Sequence, residues 1–229
     1  MALMWALLSA IVAISVFGPV LWVRWVMFRY RNEDERIPGT GAELAQHLAR
    51  RFEIDLQVEE TEHGDHYDPA ERVVRLSTDN FRGRSLTAVA VATHEVGHAI
   101  QHHRQESGLD RRTRLAPIVT LVAQSSSAVI VAAPFLGMLL HHPVPFTFLV
   151  TIGMAGLLAR VVMHAVTLPV EWDASFGKAL PILQQGDYIT SKDEIAVRRI
   201  LRAAALTYVA AALADVLNLF RWAALLLRR

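Results

Sequence analysis

The chain has 229 residues, no cysteine and a formal net charge of +1, and 53% of it is hydrophobic, with a mean hydropathy of +0.30. The missing cysteines exclude disulfides, thiol catalysis and cysteine-ligated zinc, so any metal site must use histidine and carboxylate. No basic stripe with interleaved aromatics is present, which argues against nucleic acid as a partner, and the apolar excess lies in long runs rather than being spread along the chain.

Residues 1–23 contain the first run, ALMWALLSAIVAISVFGPVLWV, which carries no charge and ends against Arg24. A helix needs about 17–25 mostly apolar residues to cross a bilayer, and this run suffices. It lacks a basic leader and a small-residue cleavage site, so it reads as a retained anchor and not as a signal peptide. Residues 24–115 have the composition of a water-exposed domain. RYRNEDER is a solvated linker. IPGTGAELAQHLARRF starts a packing helix, with Thr40 as N-cap and Ala42, Leu44, Ala45, Leu48 and Ala49 on its apolar face. IDLQVEE and RVVRLS alternate apolar and polar residues and read as two strands of a small sheet. The turn-rich TEHGDHYDPAE joins them; its His63, His66, Tyr67 and Asp68 are possible ligands, but Asp68-Pro69 reads more simply as a turn.

Ser85 then caps a helix that runs through LTAVAVATHEVGHAIQHH. Inside it, His94 and His98 are four residues apart, which places the two imidazoles about 40° apart around the helix axis and one turn along it. Two nitrogen ligands therefore converge. Glu95 is displaced by about 100°, outside the close ligand set but able to reach a water beside a metal, the position of a general base. Gly97 costs about 1 kcal/mol relative to alanine in a helix interior, a cost that close packing at that point would explain. Histidine and carboxylate suit zinc, which in catalytic sites keeps three protein ligands and one position for water, lowering that water's pKa to about 7. His102 and His103 fit the C-terminal end of the helix dipole and are not assigned as ligands.

Three further apolar runs follow, at 116–140, 145–168 and 203–227, the last spanning or partly interfacial, with a polar segment at 169–202 between the third and fourth. Within the third, GMAG reads as ordinary glycine use in a spanning helix. Arg160 and Asp215 are costly in lipid and lie at similar depths, so they are expected to pair between neighbouring helices. Arg24, Arg29, Arg31, Arg104, Arg111, Arg112 and Arg114 flank the first two runs, and Lys178, Lys192, Arg198, Arg199 and Arg202 lie between the last two, whereas the HHPVP loop has no Lys or Arg. The positive-inside rule puts 24–115 and 169–202 in the cytoplasm, against which Arg221, Arg228 and Arg229 are discordant.

HYDPAERVVRLS, GRS, HEVGHAIQH, TLPVEWDAS and AALTYVAAAL occur in this order, and with them nearly the whole chain resembles the neutral zinc metallopeptidases of bacterial membranes. The resemblance implies a membrane-bound peptidase with His94 and His98 as zinc ligands, Glu95 as catalytic carboxylate and Glu171 as third ligand. Two crossings separate His98 from Glu171, which returns the chain to the same side; Asp173 and His164 are the rival ligands. In the broader class of His-Glu-any-any-His peptidases an aspartate often follows the third ligand by four residues and orients a histidine, but here Ser175 stands there and Asp173 is the nearest acid. Tyr67, His164, Tyr188 and Tyr208 are chemically able to stabilise a transition state.

The expected fold is thus a mainly α integral membrane protein of the bacterial inner membrane, with about four transmembrane helices and a small cytoplasmic α/β zinc-peptidase domain. Its expected partners are the lipid bilayer and protein or peptide substrates associated with the membrane. A zinc-holding scaffold that cleaves nothing and an intramembrane metalloprotease are the competing functions.

Overall fold

Helix dominates the computed structural model, which describes residues 2–140 and 143–227 and, within them, no side chain of residues 2–13, 15–16, 133–134, 137, 140, 143–146 or 225–227. In chain order, α1 (Ala2–Arg29) leads to α2 (Gly41–Arg51) and the strands β1 (Gln57–Thr61), β2 (His66–Asp68) and β3 (Val73–Ser77). Next come α3 (Thr78–Arg82), α4 (Leu86–His103), α5 (Ser107–Leu140) and α6 (Pro143–Trp172). A π-helical segment, Asp173–Ala179, continues α6 directly into α7 (Leu180–Gln185), and α8 (Glu194–Leu227) ends the chain.

Three stretches among the described residues are long and apolar enough to cross a membrane: Ser107–Ala132, Thr147–Gln185 and Glu194–Ala224. These overlap the expected second, third and fourth runs. The expected first span lies in α1, where most side chains of the first half are outside the described residues, as are His141 and His142 of the HHPVP loop and Arg228 and Arg229.

Contacts divide the chain into two units, one made of Met1–Val16, Arg111–Thr167 and Tyr208–Arg229, the other of Phe17–Asp110 and Leu168–Thr207. In the first unit α5 and α6 approach through glycine: a Cβ on Gly153 would lie 2.0 Å from Ile130 Cγ1, and one on Gly156 would lie 2.2 Å from Ser126 Cβ. GMAG is a contact surface, the usual service of small residues between helices in lipid. Arg160 Nε stands 3.0 Å from Asp215 Oδ2, the pairing its cost in lipid required, and His164 Nε2 reaches the same oxygen at 3.2 Å.

The second unit is built around α4, which is buried along its whole length from Thr87 to Gln101. A helix that is buried on every side must be enclosed by other elements. Val89, Val96 and Ile100 pack in a core with Leu48 of α2, Val74 and Leu76 of β3, Leu183 of α7 and Val197, Ile200 and Leu201 of α8. Both expected caps form. Ser85 accepts from Ala88 N at 3.1 Å, and Thr40 makes a reciprocal capping box with Glu43.

The sheet has three strands, ordered β1-β3-β2, where the sequence suggested two. The two expected strands, β1 and β3, pair in parallel, from Gln57 opposite Val73 to Thr61 opposite Ser77. The expected connecting turn contains β2, which runs antiparallel along the other edge of β3 and allows the parallel pairing. Asp68 does form the expected turn, accepting from Ala70 N at 2.9 Å.

Candidate metal centre

The buried face of α4 brings His94 and His98 towards Glu171, the penultimate residue of α6, and the three side chains are 3–6% exposed. Their ligand atoms all lie within 4.8 Å of one another. Glu171 Oε2 stands 3.2 Å from His94 Nε2 and 3.3 Å from His98 Nε2. Two ligand atoms each 2.0–2.1 Å from one tetrahedral zinc are about 3.3 Å apart, so these separations match two edges of such a site.

The far side of each imidazole fixes which nitrogen carries the proton. His98 Nδ1 lies 2.9 Å from Gln101 Oε1, an acceptor, because Gln101 Nε2 is already donating to Val170 O at 2.9 Å and Asp173 Oδ2 at 2.8 Å. His94 Nδ1 lies 3.1 Å from Ser175 Oγ, whose hydroxyl donates to Leu201 O at 3.3 Å and so accepts from the ring. Both rings therefore carry hydrogen on Nδ1 and point Nε2 lone pairs at the Glu171 carboxylate, an arrangement of three electron-pair donors that a cation stabilises. The residues present fit zinc.

Ser175 thus contacts His94 directly, and Asp173 reaches His98 through Gln101. Asp173 is itself tied to Lys178, which also donates to Glu106 at 3.0 Å, so the support for His98 runs through a chain of four side chains. Sequence reasoning missed Gln101. The only signal was its place three residues after His98, on the face that meets the π-helical segment.

Two features of α6 bring Glu171 here. The third apolar run was read as ending at 168, but Pro169 lies inside α6, which continues to Trp172 and then widens into the π turn. A proline removes one backbone donor and crowds the carbonyl four residues back, and the chain passes it without ending the helix. Where the turn then widens, Gln101 Nε2 donates to Val170 O. The second feature is Gly97, where a Cβ would come within 2.9 Å of Ala174 O; its absence lets α4 and the π segment meet backbone to backbone.

Glu95 is buried in the same helix and stands outside the three-residue cluster. Of the rival ligands, neither Asp173 nor His164 belongs to that cluster, and His164 lies in the other unit with Asp215. His102 is outside that cluster too; its Nδ1 is 2.7 Å from Tyr67 OH, a tie between β2 and the end of α4. Burial pushes the Tyr67 phenol up to about 12, which keeps it protonated. Tyr188 pairs with His47 at 2.7 Å, and Tyr208 accepts from Arg112 at 3.2 Å.

A family model described as "Putative neutral zinc metallopeptidase" matches residues 4–227. The chain is 34% identical over 208 residues, 86% of its length and 88% of the relative's, to "Putative membrane protease YugP" of Bacillus subtilis (strain 168). No solved structure matches.

Proposed function

The chain belongs to this neutral zinc metallopeptidase family, and on that premise we propose that it is a membrane-bound endopeptidase. In this reading His94, His98 and Glu171 hold zinc and Glu95 is the general base. The observation that carries it is the convergence of two Nε2 lone pairs and one carboxylate oxygen, with both imidazole tautomers set by Ser175 and Gln101.

Zinc, when bound, polarises a peptide carbonyl and lowers the pKa of water to about 7. The protein's own part is to hold the site rigid and to move protons. Glu95, turned by about 100° from His94 on the helix, takes the proton from the attacking water and returns it to the leaving amine. Ser175 and Gln101 keep the imidazoles in the tautomer that leaves Nε2 a donor of electrons and not of protons. The dry surroundings of α4 strengthen each of these interactions.

The positive-inside pattern supports placing the peptidase domain on the cytoplasmic face of the bacterial cell membrane. Because one unbroken helix, α6, carries both an apolar membrane-length stretch and Glu171, substrates that are themselves membrane-associated are the favoured class.

The test compares purified, zinc-loaded protein in detergent with its Glu95→Gln variant on a generic unfolded protein substrate. The wild type should cleave, and the variant should lose cleavage while holding about one zinc per chain. Loss of zinc from Glu95→Gln would place Glu95 among the ligands, and no cleavage by the zinc-loaded wild type would leave a metal-holding scaffold.

A further inference from the structure

In the membrane-length helices, the Arg160–Asp215 pair explains how two charges are tolerated, but it leaves part of Arg160 unexplained. Asp215 is buried, with 3% of its side chain exposed, whereas Arg160 is 43% exposed. Its ion pair uses Nε, and His164 donates to the same carboxylate oxygen from one turn along α6. The Nη donors of the guanidinium remain for the space that Arg160 lines.

That space is a groove of about 510 Å³ in which Arg160 and His164 face Ala116, Thr120, Gln124 and Ser127 of α5. Thr120, Gln124 and Ser127 recur at helical spacing, so α5 presents a polar row to the groove. Val119, Ala123 and Met163 make the apolar wall of the groove, and other faces of the same two helices expose Leu121 at 65% and Val162 at 54%, surface that in a membrane-length helix belongs against lipid. Whatever enters arrives from the bilayer. The volume lies within the 300–1,000 Å³ typical of sites for one small molecule. At one end of the groove, Ala116 stands two residues beyond Arg114 and close in sequence to Arg111 and Arg112. Basic pockets between membrane helices on the positively flanked side suit anionic headgroups.

We propose that this groove is a binding site for one anionic phospholipid, one acyl chain along the apolar wall and its ester and phosphate oxygens accepting from Arg160, Thr120 and Gln124. The site is separate from the metal centre and does not depend on peptidase activity.

Delipidated protein in detergent is mixed with phosphatidylglycerol or with phosphatidylcholine of the same acyl chains, and retained lipid is counted by native mass spectrometry. One phosphatidylglycerol per chain should be held, about tenfold in preference to phosphatidylcholine, the scale of one charge-assisted hydrogen bond. Arg160→Gln should erase the preference. Ser127→Phe should fill the groove and abolish retention, and because it leaves the Arg160–Asp215 pair intact it decides the matter alone if Arg160→Gln fails to fold. Equal retention of the two lipids, unchanged retention by Ser127→Phe, or displacement by water-soluble glycerol 3-phosphate would each overturn the proposal.

Discussion

Gln101 carries three hydrogen bonds, accepting from His98 and donating to Val170 O and Asp173, and no other type of side chain satisfies that set. Alanine at this position would leave His98 Nδ1 without its acceptor and free the ring to turn or change tautomer. Gln101→Ala should therefore weaken zinc binding about 10–100-fold, the usual cost of losing an outer partner of a metal-bound histidine, as read by competition with a chromogenic chelator. An unchanged zinc affinity would reduce Gln101 to a packing residue. The role of Asp173 could not be decided from sequence, because two acids or hydroxyls within four residues of Glu171 differ only in the direction they face. The π turn sets that direction, sending Ser175 to His94 and Asp173 to Gln101.

At the scale of elements, the centre depends on one close crossing between α4 and the π-helical segment. The cost of Gly97 in a helix was legible as a sign that something packs there, but the partner was not, since Ala174 is 77 positions away. Gly97→Ala places a methyl 2.9 Å from a backbone oxygen, which cannot rotate aside as a side chain would. The two segments must separate. The variant should lose about 1–3 kcal/mol of stability, seen as a lower Tm in detergent, together with weaker zinc binding because Glu171 stands two residues before the displaced segment on the same continuous helix. A wild-type Tm would show that the crossing has slack. The misjudged end of the third helix has a related cause: Pro169 removes one backbone donor, yet the helix continues to Trp172 and into a wider turn that packs on α4, and that packing is not visible in the sequence around a proline.

At the scale of the whole molecule, charges within apolar helices constrain how those helices assemble. Arg160 and Asp215 were expected to pair because isolated charges in lipid are expensive, and they meet at 3.0 Å. Thermal unfolding of Arg160→Ala, Asp215→Ala and the double variant should give a coupling energy of about 0.5–3 kcal/mol, with the double variant less damaged than the sum of the two. Strict additivity would mean that the contact contributes nothing to holding α6 and α8. His164 belongs to the same cluster, a membership unforeseen because its partner lies 51 residues on and is shared with Arg160.

Periodicity, apolar run length and the spacing of His94, Glu95 and His98 determined the membrane-length helices, the motif helix with its Ser85 cap, and two of the three strands. These are local properties: a helix fixes the relation of residues four apart whatever surrounds it. Glu171 was reached through a resemblance and an even count of expected crossings, which would return a carboxylate to the same side without aiming it. Only the tertiary structure decided its aim, the tautomers of both histidines and the parallel pairing of β1 with β3 around a three-residue β2. Each depends on groups distant in sequence meeting within a few ångströms, a condition set by packing around buried α4 and not by any local pattern.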